Sequence, residues 1–222
     1  MPANMPIVIT IARQLGSGGS YIGQKVAQRL GYAYIDRQIL QQAAKELGVE
    51  EAVIEERDER LQGFWERVLT VFALGPPDGT YTPPPHLVSD TDLIETERRL
   101  IVQLATRGPC VVLGHGGFHL LRGRVRLFNV FVHAPLEFRV ARVMSIYHAG
   151  SEDEAARLVE RSDRERIRYI RTFTGRDWFD ARNYNLAIDT GVIDFATAEQ
   201  LIAALPEQLP QKNTWPWVRQ PV

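Results

Sequence analysis

The sequence predicts an α/β protein in which a parallel β-sheet is covered by helices on both faces. Four short segments are apolar at consecutive positions rather than at alternate ones, which is typical of strands that are buried on both sides. They lie at residues 7–12, 110–113, 127–132 and 186–188, and a fifth candidate lies at residues 32–35. Segments with helical periodicity separate the five. This alternation of strand and helix predicts a doubly wound sheet.

The first of these helices is predicted over residues 20–30. Ile22, Val26 and Leu30 follow one another at spacings of four, so they share one face of the helix, whereas amide and charged side chains occupy the other. Gly31 comes directly after this pattern. It is expected to end the helix in the left-handed conformation that glycine adopts easily.

The rest of the chain is interpreted in the same way. Further helices are expected at residues 38–47, 51–74, 91–107 and 195–205. Residues 75–85 contain five prolines and two glycines, and this composition predicts a loop. Residues 207–222 are expected to form an irregular tail.

Length and composition limit the classes of function. The 222 residues suit one domain with a full core, and a formal net charge of -1 argues against nucleic-acid binding, which needs a basic face. The single cysteine, Cys110, excludes an intramolecular disulfide. No apolar stretch is long enough to span a membrane, and the N-terminus lacks the pattern of a signal peptide. A cytoplasmic location without membrane partners is therefore expected, and the oligomeric state is not predicted.

A glycine-rich turn joins the first predicted strand to the first helix. Its sequence is Arg13-Gln14-Leu15-Gly16-Ser17-Gly18-Gly19-Ser20. This order of strand, turn and helix is typical of a phosphate cradle, because glycines let backbone N–H groups approach an anion and the helix N-terminus adds partial positive charge. An ordinary tight turn is the alternative. We predict that residues 16–20 bind phosphate.

The turn departs from the complete P-loop pattern, G-x-x-x-x-G-K-[ST]. Aligned on Gly18, the first glycine is replaced by Arg13 and the lysine by Gly19. Ser20 takes the hydroxyl position, which is compatible with ligating Mg²⁺ and also with capping the helix. We predict that Arg13 supplies the missing positive charge, and a surface arginine is the alternative.

Two further strand ends carry polar residues. Asp36 follows the second strand, and Gly114, His115 and Gly116 follow the third. Ligands of open α/β sheets bind outside the carboxyl ends of the strands, so these residues are candidate substrate contacts. The alternatives are a helix N-cap for Asp36 and a structural role for His115.

Residues 157–171 predict a helix with an arginine-rich face. At about 100° per residue, one narrow face collects Arg157, Arg161, Arg164, Arg168 and Arg171. Arg166 breaks this pattern. Guanidinium groups match phosphate oxygens, so the face predicts a lid over the glycine turn, and a solvated face with acidic neighbours is the alternative. Arg142, on the helix after the fourth strand, is expected to point to the same pocket.

Several segments occur together in one order along the chain. They are the glycine turn, Tyr34-Ile35-Asp36-Arg37, residues 133–139, residues 174–178 and residues 183–190. Together they resemble the cytidylate kinase-like family, a divergent branch of the nucleoside monophosphate kinases, over about residues 7–205.

The resemblance implies a P-loop kinase fold with three layers and a central five-stranded parallel sheet of strand order 2-3-1-4-5. It also implies one domain that consists of a core, a helical substrate-binding insert and a lid. The core would comprise residues 6–36, 108–149 and 183–206, the insert residues 37–107, and the lid residues 150–176.

The activity that the resemblance implies is ATP- and Mg²⁺-dependent phosphoryl transfer to a nucleoside monophosphate, with CMP or dCMP as the best match. Residues 16–20 would hold the phosphates of ATP. Asp36, Arg37 and His115 would face the acceptor. The phosphoryl groups would be neutralised by Arg13, Arg142, Arg164 and Arg168.

Two departures from the family pattern leave other functions open. The P-loop lysine is absent, and the usual strand-end sequence Gly-Arg-[Gly/Asp] is replaced by Gly114-His115-Gly116. A neutral histidine keeps a hydrogen-bond donor but loses the permanent charge, and the loss of one preorganised donor costs about 3 kcal/mol of transition-state stabilisation. The alternatives are a nucleotide-binding regulatory module with weak or no kinase activity, and a kinase for a small molecule other than a nucleotide.

Overall fold

The computed structural model describes residues 5–36, 40, 91–147 and 150–209. Its strands are Ile7–Arg13 (β1), Ala33–Ile35 (β2), Cys110–Leu113 (β3), Arg126–His133 (β4) and Leu186–Asp189 (β5). They form one five-stranded sheet in the order β2-β3-β1-β4-β5, and each neighbouring pair is parallel. The five predicted strands and the strand order 2-3-1-4-5 are confirmed.

Helices connect the strands and cover the sheet. They are Gly19–Leu30 (α1), Thr91–Arg107 (α2), Gly117–Leu120 (α3), Leu136–Tyr147 (α4), Glu152–Thr174 (α5) and Phe195–Ala204 (α6). Short 3-10 turns lie at Ala181–Asn183 and Pro206–Gln208. The helices predicted at 91–107 and 195–205 are confirmed, and the arginine-rich segment 157–171 lies wholly within α5.

The core lies on both faces of the sheet. Ile9 and Ile11 of β1 pack on one face with Ile22 of α1 and with residues of α6. Val8 of the same strand points to the opposite face and packs with Ile101 of α2. Both faces of β1 are therefore covered, which explains why apolar and polar residues do not alternate along it, and this confirms the three-layer architecture.

The ends of α1 show how glycine shapes the functional edge of the sheet. The helix begins after Gly18, which has a φ of 82° and provides no side-chain cap. Ser20 lies in the first helical turn, so the interpretation of Ser20 as the N-cap is wrong. Gly31 ends the helix at a φ of 67°, and its N–H group donates towards the carbonyl groups of Ala27 and Gln28, as predicted.

Several predictions fall outside the described residues. They concern Arg37, the helices at 38–47 and 51–74, the proline-containing loop at 75–85 and most of the tail at 207–222. Among the helices that are described, none combines the length and the apolar character that crossing a membrane would require.

Candidate active site

The turn after β1 has unpaired backbone donors. Gly16 and Gly18 both have a φ of 82°, and Ser17 Oγ fixes the turn by donating to the carbonyl of Gln14 at 2.8 Å. The N–H groups of Gly16, Gly18, Gly19 and Ser20 have no hydrogen-bond partner within the part of the chain that the structure describes. Adjacent unpaired N–H groups at a helix N-terminus are the donors that bind a phosphate group.

Arg13 lies where the side chain of a P-loop lysine would begin. A Cβ atom added to Gly19 would be 2.5 Å from the Cβ of Arg13 and 3.1 Å from its Cγ. The two positions therefore exclude each other, because a side chain at position 19 needs the space that the stem of Arg13 occupies. Arg13 is 7% exposed, which rules out the alternative that it is a surface arginine.

Phe195 packs against the other side of the turn. A Cβ atom on Gly18 would lie 2.5 Å from Cζ of this ring. The guanidinium carbon of Arg142 lies 4.6 Å from the ring centroid, so a cation covers the aromatic face beside the glycine turn. Nε of Arg142 is buried without a hydrogen-bond partner among the described residues. Arg142 thus lies beside the glycine turn but does not line the cavity described below, and its role towards phosphates stays a prediction.

The turn after β3 also has left-handed backbone angles, but it contains a histidine between its glycines. Gly114, His115 and Gly116 have φ angles of 80°, 54° and 65°. A histidine at positive φ is uncommon and is retained where the surrounding structure compensates for the strain. Nδ1 of His115 contacts Oε1 of Glu97, which α2 contributes, and the two side chains are 1% and 2% exposed.

A small cavity lies between the carboxyl ends of β1 and β3, under α5. Its polar and charged lining comes from Thr10, Arg13, His115 and Arg166. Its apolar lining includes Phe118, Ile170 and Trp178, and Trp178 packs edge-on against Phe131 with ring centroids 5.3 Å apart. The structure therefore brings together two predicted residues, Arg13 and His115, and one that the sequence interpretation set aside.

That residue is Arg166, which is 3% exposed. Its Nη1 donates to Ser162 Oγ. Its Nε has no hydrogen-bond partner, and it forms no ion pair with a carboxylate of the described chain. Burial and the positive charge of Arg13 lower the pKa of Arg166 to about 9, although the carboxylates of Asp163 and Glu165 act in the opposite sense. Two neighbouring cations in a buried site form a place where an anion would be favourable.

The spacing of the residues around Arg166 could have revealed its position. The buried face of α5 carries Ala155, Val159, Ser162, Arg166 and Ile170. These positions are three or four residues apart, which is the repeat of one helix face.

The predicted arginine face of α5 is on the solvent side. Arg157, Arg164, Arg168 and Arg171 are exposed. Arg164 donates to Glu160 at 3.3 Å, so part of the face is neutralised locally. Arg164 and Arg168 do not line the cavity, and their assignment to phosphates stays a prediction.

A buried ion pair fixes α5 against the edge of the sheet. Nη1 of Arg139 lies 2.8 Å from Oδ2 of Asp163, and Gln14 donates to the same oxygen at 3.1 Å. Arg139 Nε also donates to the carbonyl of Ala134 at 3.0 Å. These bonds connect the glycine turn, α4 and α5, so Arg139 fixes the position of α5.

The remaining predicted residues lie around this centre. Asp36 follows β2, is partly buried, and acts electrostatically on Tyr34, as does Arg13. Ser20 is exposed at the start of α1, beside the unpaired N–H groups. Within the described ranges, no group of three or more His, Cys, Asp or Glu side chains could hold a metal ion alone. A single hydroxyl nevertheless suits Mg²⁺, which is usually held by few protein ligands together with substrate phosphates and water.

The sheet order and the glycine turn at the edge of β1 define a P-loop kinase fold. The chain belongs to the cytidylate kinase-like family, whose model matches residues 8–192. The family and the fold support a nucleotide-dependent kinase. No curated protein matches the chain.

Solved structures agree with this fold. An uncharacterized protein from Eubacterium ventriosum is 20% identical with a TM-score of 0.65, and the match covers 88% of this chain and 95% of the other. TT1252 from Thermus thermophilus is 22% identical with a TM-score of 0.55 over 92% and 98% of the two chains. A gluconokinase from Sinorhizobium meliloti is 17% identical with a TM-score of 0.51 over 93% and 97%. At these identities the likeness concerns the fold.

Proposed function

We propose that this protein transfers the γ-phosphoryl group of ATP to a nucleoside monophosphate, with CMP or dCMP as the first acceptors to test. The observation that carries the proposal is the pair of buried guanidinium groups, Arg13 and Arg166, beside a turn with unpaired N–H groups. In phosphoryl transfer the protein contributes mainly positioning and neutralisation of charge on the transferring group. This site offers both.

The two turns divide the substrates between them in this proposal. Residues 16–20 hold the phosphates of ATP through the main chain. Asp36, Arg37 and His115 face the acceptor from the ends of β2 and β3. Arg13 replaces the cation of the absent lysine, since its stem occupies the space at Gly19.

The lid helix contributes the second cation. Arg166 faces the cavity from the buried side of α5, whereas Arg164 and Arg168 would approach the phosphates only from the exposed side. We therefore extend the predicted set of lid arginines by Arg166, because its side chain lines the cavity.

Mg²⁺ is the metal that this chemistry needs, and Ser20 is the residue that would help to hold it. When bound, the ion neutralises charge on the donor phosphates. The chain's own part in this is to present a hydroxyl at the first turn of α1, next to the N–H groups of Gly18 and Gly19.

The test is to incubate the purified protein with Mg²⁺-ATP and each nucleoside monophosphate in turn, and to measure ADP and nucleoside diphosphate. The proposal expects turnover with at least one nucleotide, first with CMP or dCMP. Tight ATP binding without turnover on any acceptor would favour the regulatory module. Turnover only with acceptors outside the nucleotides would favour a small-molecule kinase.

A further inference from the structure

His115 combines features that simple contact with a phosphate does not require. It adopts a φ of 54°, it lines the cavity beside Arg13 and Arg166, and its Nδ1 contacts the buried carboxylate of Glu97. A strained backbone that is retained at a candidate active site points to a function for the side chain that it presents. An arginine could bind a phosphate, but it could not accept a proton.

We propose that His115, oriented by Glu97, is the general base that removes a proton from the attacking oxygen of the acceptor. The inference rests on the proposed function, since it takes ATP as the phosphoryl donor. His115 is the catalytic residue in this scheme because it contacts the acceptor. Glu97 is a positioning residue that acts through the imidazole ring.

The contact with Glu97 determines how the ring can act. A carboxylate on Nδ1 fixes the ring orientation and the tautomer, so Nε2 is the nitrogen that serves the acceptor. The carboxylate also stabilises the positive charge that a transferred proton brings to the ring. Because Glu97 belongs to α2, the dyad connects the predicted substrate-binding section to the end of β3.

Charged and titratable groups from several elements lie around the dyad. Glu97 comes from α2 and Arg13 from β1, while α5 supplies Arg166 and Tyr169. Burial and the charge of Glu97 raise the pKa of Tyr169, so this phenol stays neutral. Among the described residues, the surroundings of the dyad therefore include the cations Arg13 and Arg166, the neutral phenol of Tyr169, and Arg98 of α2, which acts on that phenol.

The proton and electron balance of the step is simple. The O–H bond of the acceptor breaks and its proton passes to Nε2 of His115, while the oxygen forms a bond to the γ-phosphorus. The bond from the γ-phosphorus to the bridging oxygen breaks, and ADP leaves with the electron pair. Solvent later takes the proton from the ring.

Two kinds of acceptor oxygen carry such a proton. One is a monoanionic phosphate, since phosphate monoesters lose the second proton near pH 6. The other is a hydroxyl group. A dianionic phosphate has no proton to lose and would not need the base.

The experiment measures kcat between pH 5.5 and pH 7.5 for the wild type and for His115→Asn, with CMP and with a panel of polyols and sugar acids. Asparagine tolerates positive φ and can still donate to Glu97, so this variant preserves the turn. His119→Asn is the matched control, because His119 lies on α3, outside the cavity lining, and contacts Arg176.

With CMP, the activity of His115→Asn should follow the dianion fraction and fall about fourfold more than that of the wild type between pH 7.5 and pH 5.5. With a hydroxyl acceptor, it should fall by about 100-fold or more at each pH. Glu97→Gln keeps the size of the side chain but removes its charge, and it should change the pH profile in either case.

Each outcome is decisive. A constant ratio of variant to wild-type activity across the pH range, in a variant with wild-type melting temperature, overturns the role of His115 and leaves the proposed function standing. If His115→Asn does not fold, an unchanged pH profile in Glu97→Gln overturns the dyad. A wild-type protein that neither binds ATP nor forms ADP overturns both proposals.

Discussion

Two glycine turns lie side by side at the carboxyl edge of the sheet, and they differ in the groups that they present there. The turn after β1 has no side chains at Gly18 and Gly19, because neighbouring residues leave no room for a Cβ atom there, and it exposes backbone N–H groups. The turn after β3 has left-handed backbone angles as well, but it places a side chain, His115, in the cavity.

The difference teaches how a family-wide scaffold can change its chemistry locally. At the first turn, the stem of Arg13 from the preceding strand occupies the space beside Gly19, and we propose that its charge replaces that of the missing lysine. In the second turn the missing arginine is replaced by a histidine and a carboxylate, which are suited to proton transfer. The two proposals thus assign charge neutralisation to one turn and proton transfer to the other, and each of the following changes tests one part of this division.

Arg13→Ala should have the largest effect. Loss of a preorganised cation in the site is expected to lower kcat/KM by about 100-fold, which corresponds to about 3 kcal/mol. The melting temperature should change by no more than about 4 °C, because the repulsion with Arg166 is relieved. Steady-state ADP formation and scanning calorimetry measure the two effects.

Arg29→Ala is the control for Arg13→Ala, since Arg29 pairs with Glu199 at 3.0 Å on the surface. Equal activity of the two variants would show that Arg13 does not contribute to phosphoryl transfer.

Arg166→Met should separate binding from stability. The variant removes a buried charge without an ion-pair partner in the described chain, so the melting temperature is expected to rise by about 2–4 °C, which corresponds to about 1 kcal/mol. Inorganic phosphate should stabilise the wild type but not the variant, and kcat/KM should fall by about tenfold or more. Thermal shift with and without phosphate, together with ADP formation, tests this.

Arg157→Met, on the exposed face of α5, should respond to phosphate as the wild type does. A phosphate-induced shift of the same size in Arg166→Met would show that the anion does not bind between the two arginines.

Gly18→Ala should mainly affect stability. The substitution places a Cβ atom 2.5 Å from the ring of Phe195 and requires alanine at a φ of 82°, so it should destabilise the fold by about 2 kcal/mol. The double variant Gly18→Ala/Phe195→Leu should recover part of this loss. Urea unfolding gives the free energies, and additive losses in the double variant would mean that the ring does not limit the turn.

Gly116→Ala should have the smallest effect. Here the new Cβ atom would meet Cδ1 of Ile170 at 3.6 Å, which is an ordinary contact, and only the φ of 65° opposes the change. The expected cost is about 1 kcal/mol, measured by the same unfolding experiment. A loss as large as that of Gly18→Ala would contradict the view that the two turns differ in their surroundings.

The strands and the glycine turn were predictable because their causes are local. Continuous apolar sequence follows from burial on both faces, as at Val8 and Ile9, and a glycine-rich turn between a strand and a helix is identified from neighbouring residues alone. The helix boundaries were correct to within one or two residues for α1, where periodicity and Gly31 agree.

The partners within the site were not predictable in the same way. Glu97 is separated from His115 by 18 residues and belongs to a helix that the sequence interpretation treated only as part of an insert. Glu97 precedes Leu100 and Ile101 by three and four residues, which places it on the buried face of α2. The role of a buried carboxylate on an apolar face can be assigned only when the group that pairs with it is known. Arg166 was set aside because it departed from the arginine pattern.

The amino-acid sequence alone determined the fold class, the position of the glycine turn and the absence of a P-loop lysine there, because each depends on residues that are neighbours along the chain. Only the tertiary structure decided which charged side chains meet there. Packing of α2 and α5 against the ends of β1 and β3 brings Glu97 to His115 and Arg166 to the cavity that Arg13 lines. The energy of a charge depends on the distance to its neighbours and on the exclusion of water, and distances between remote segments exist only in the folded chain.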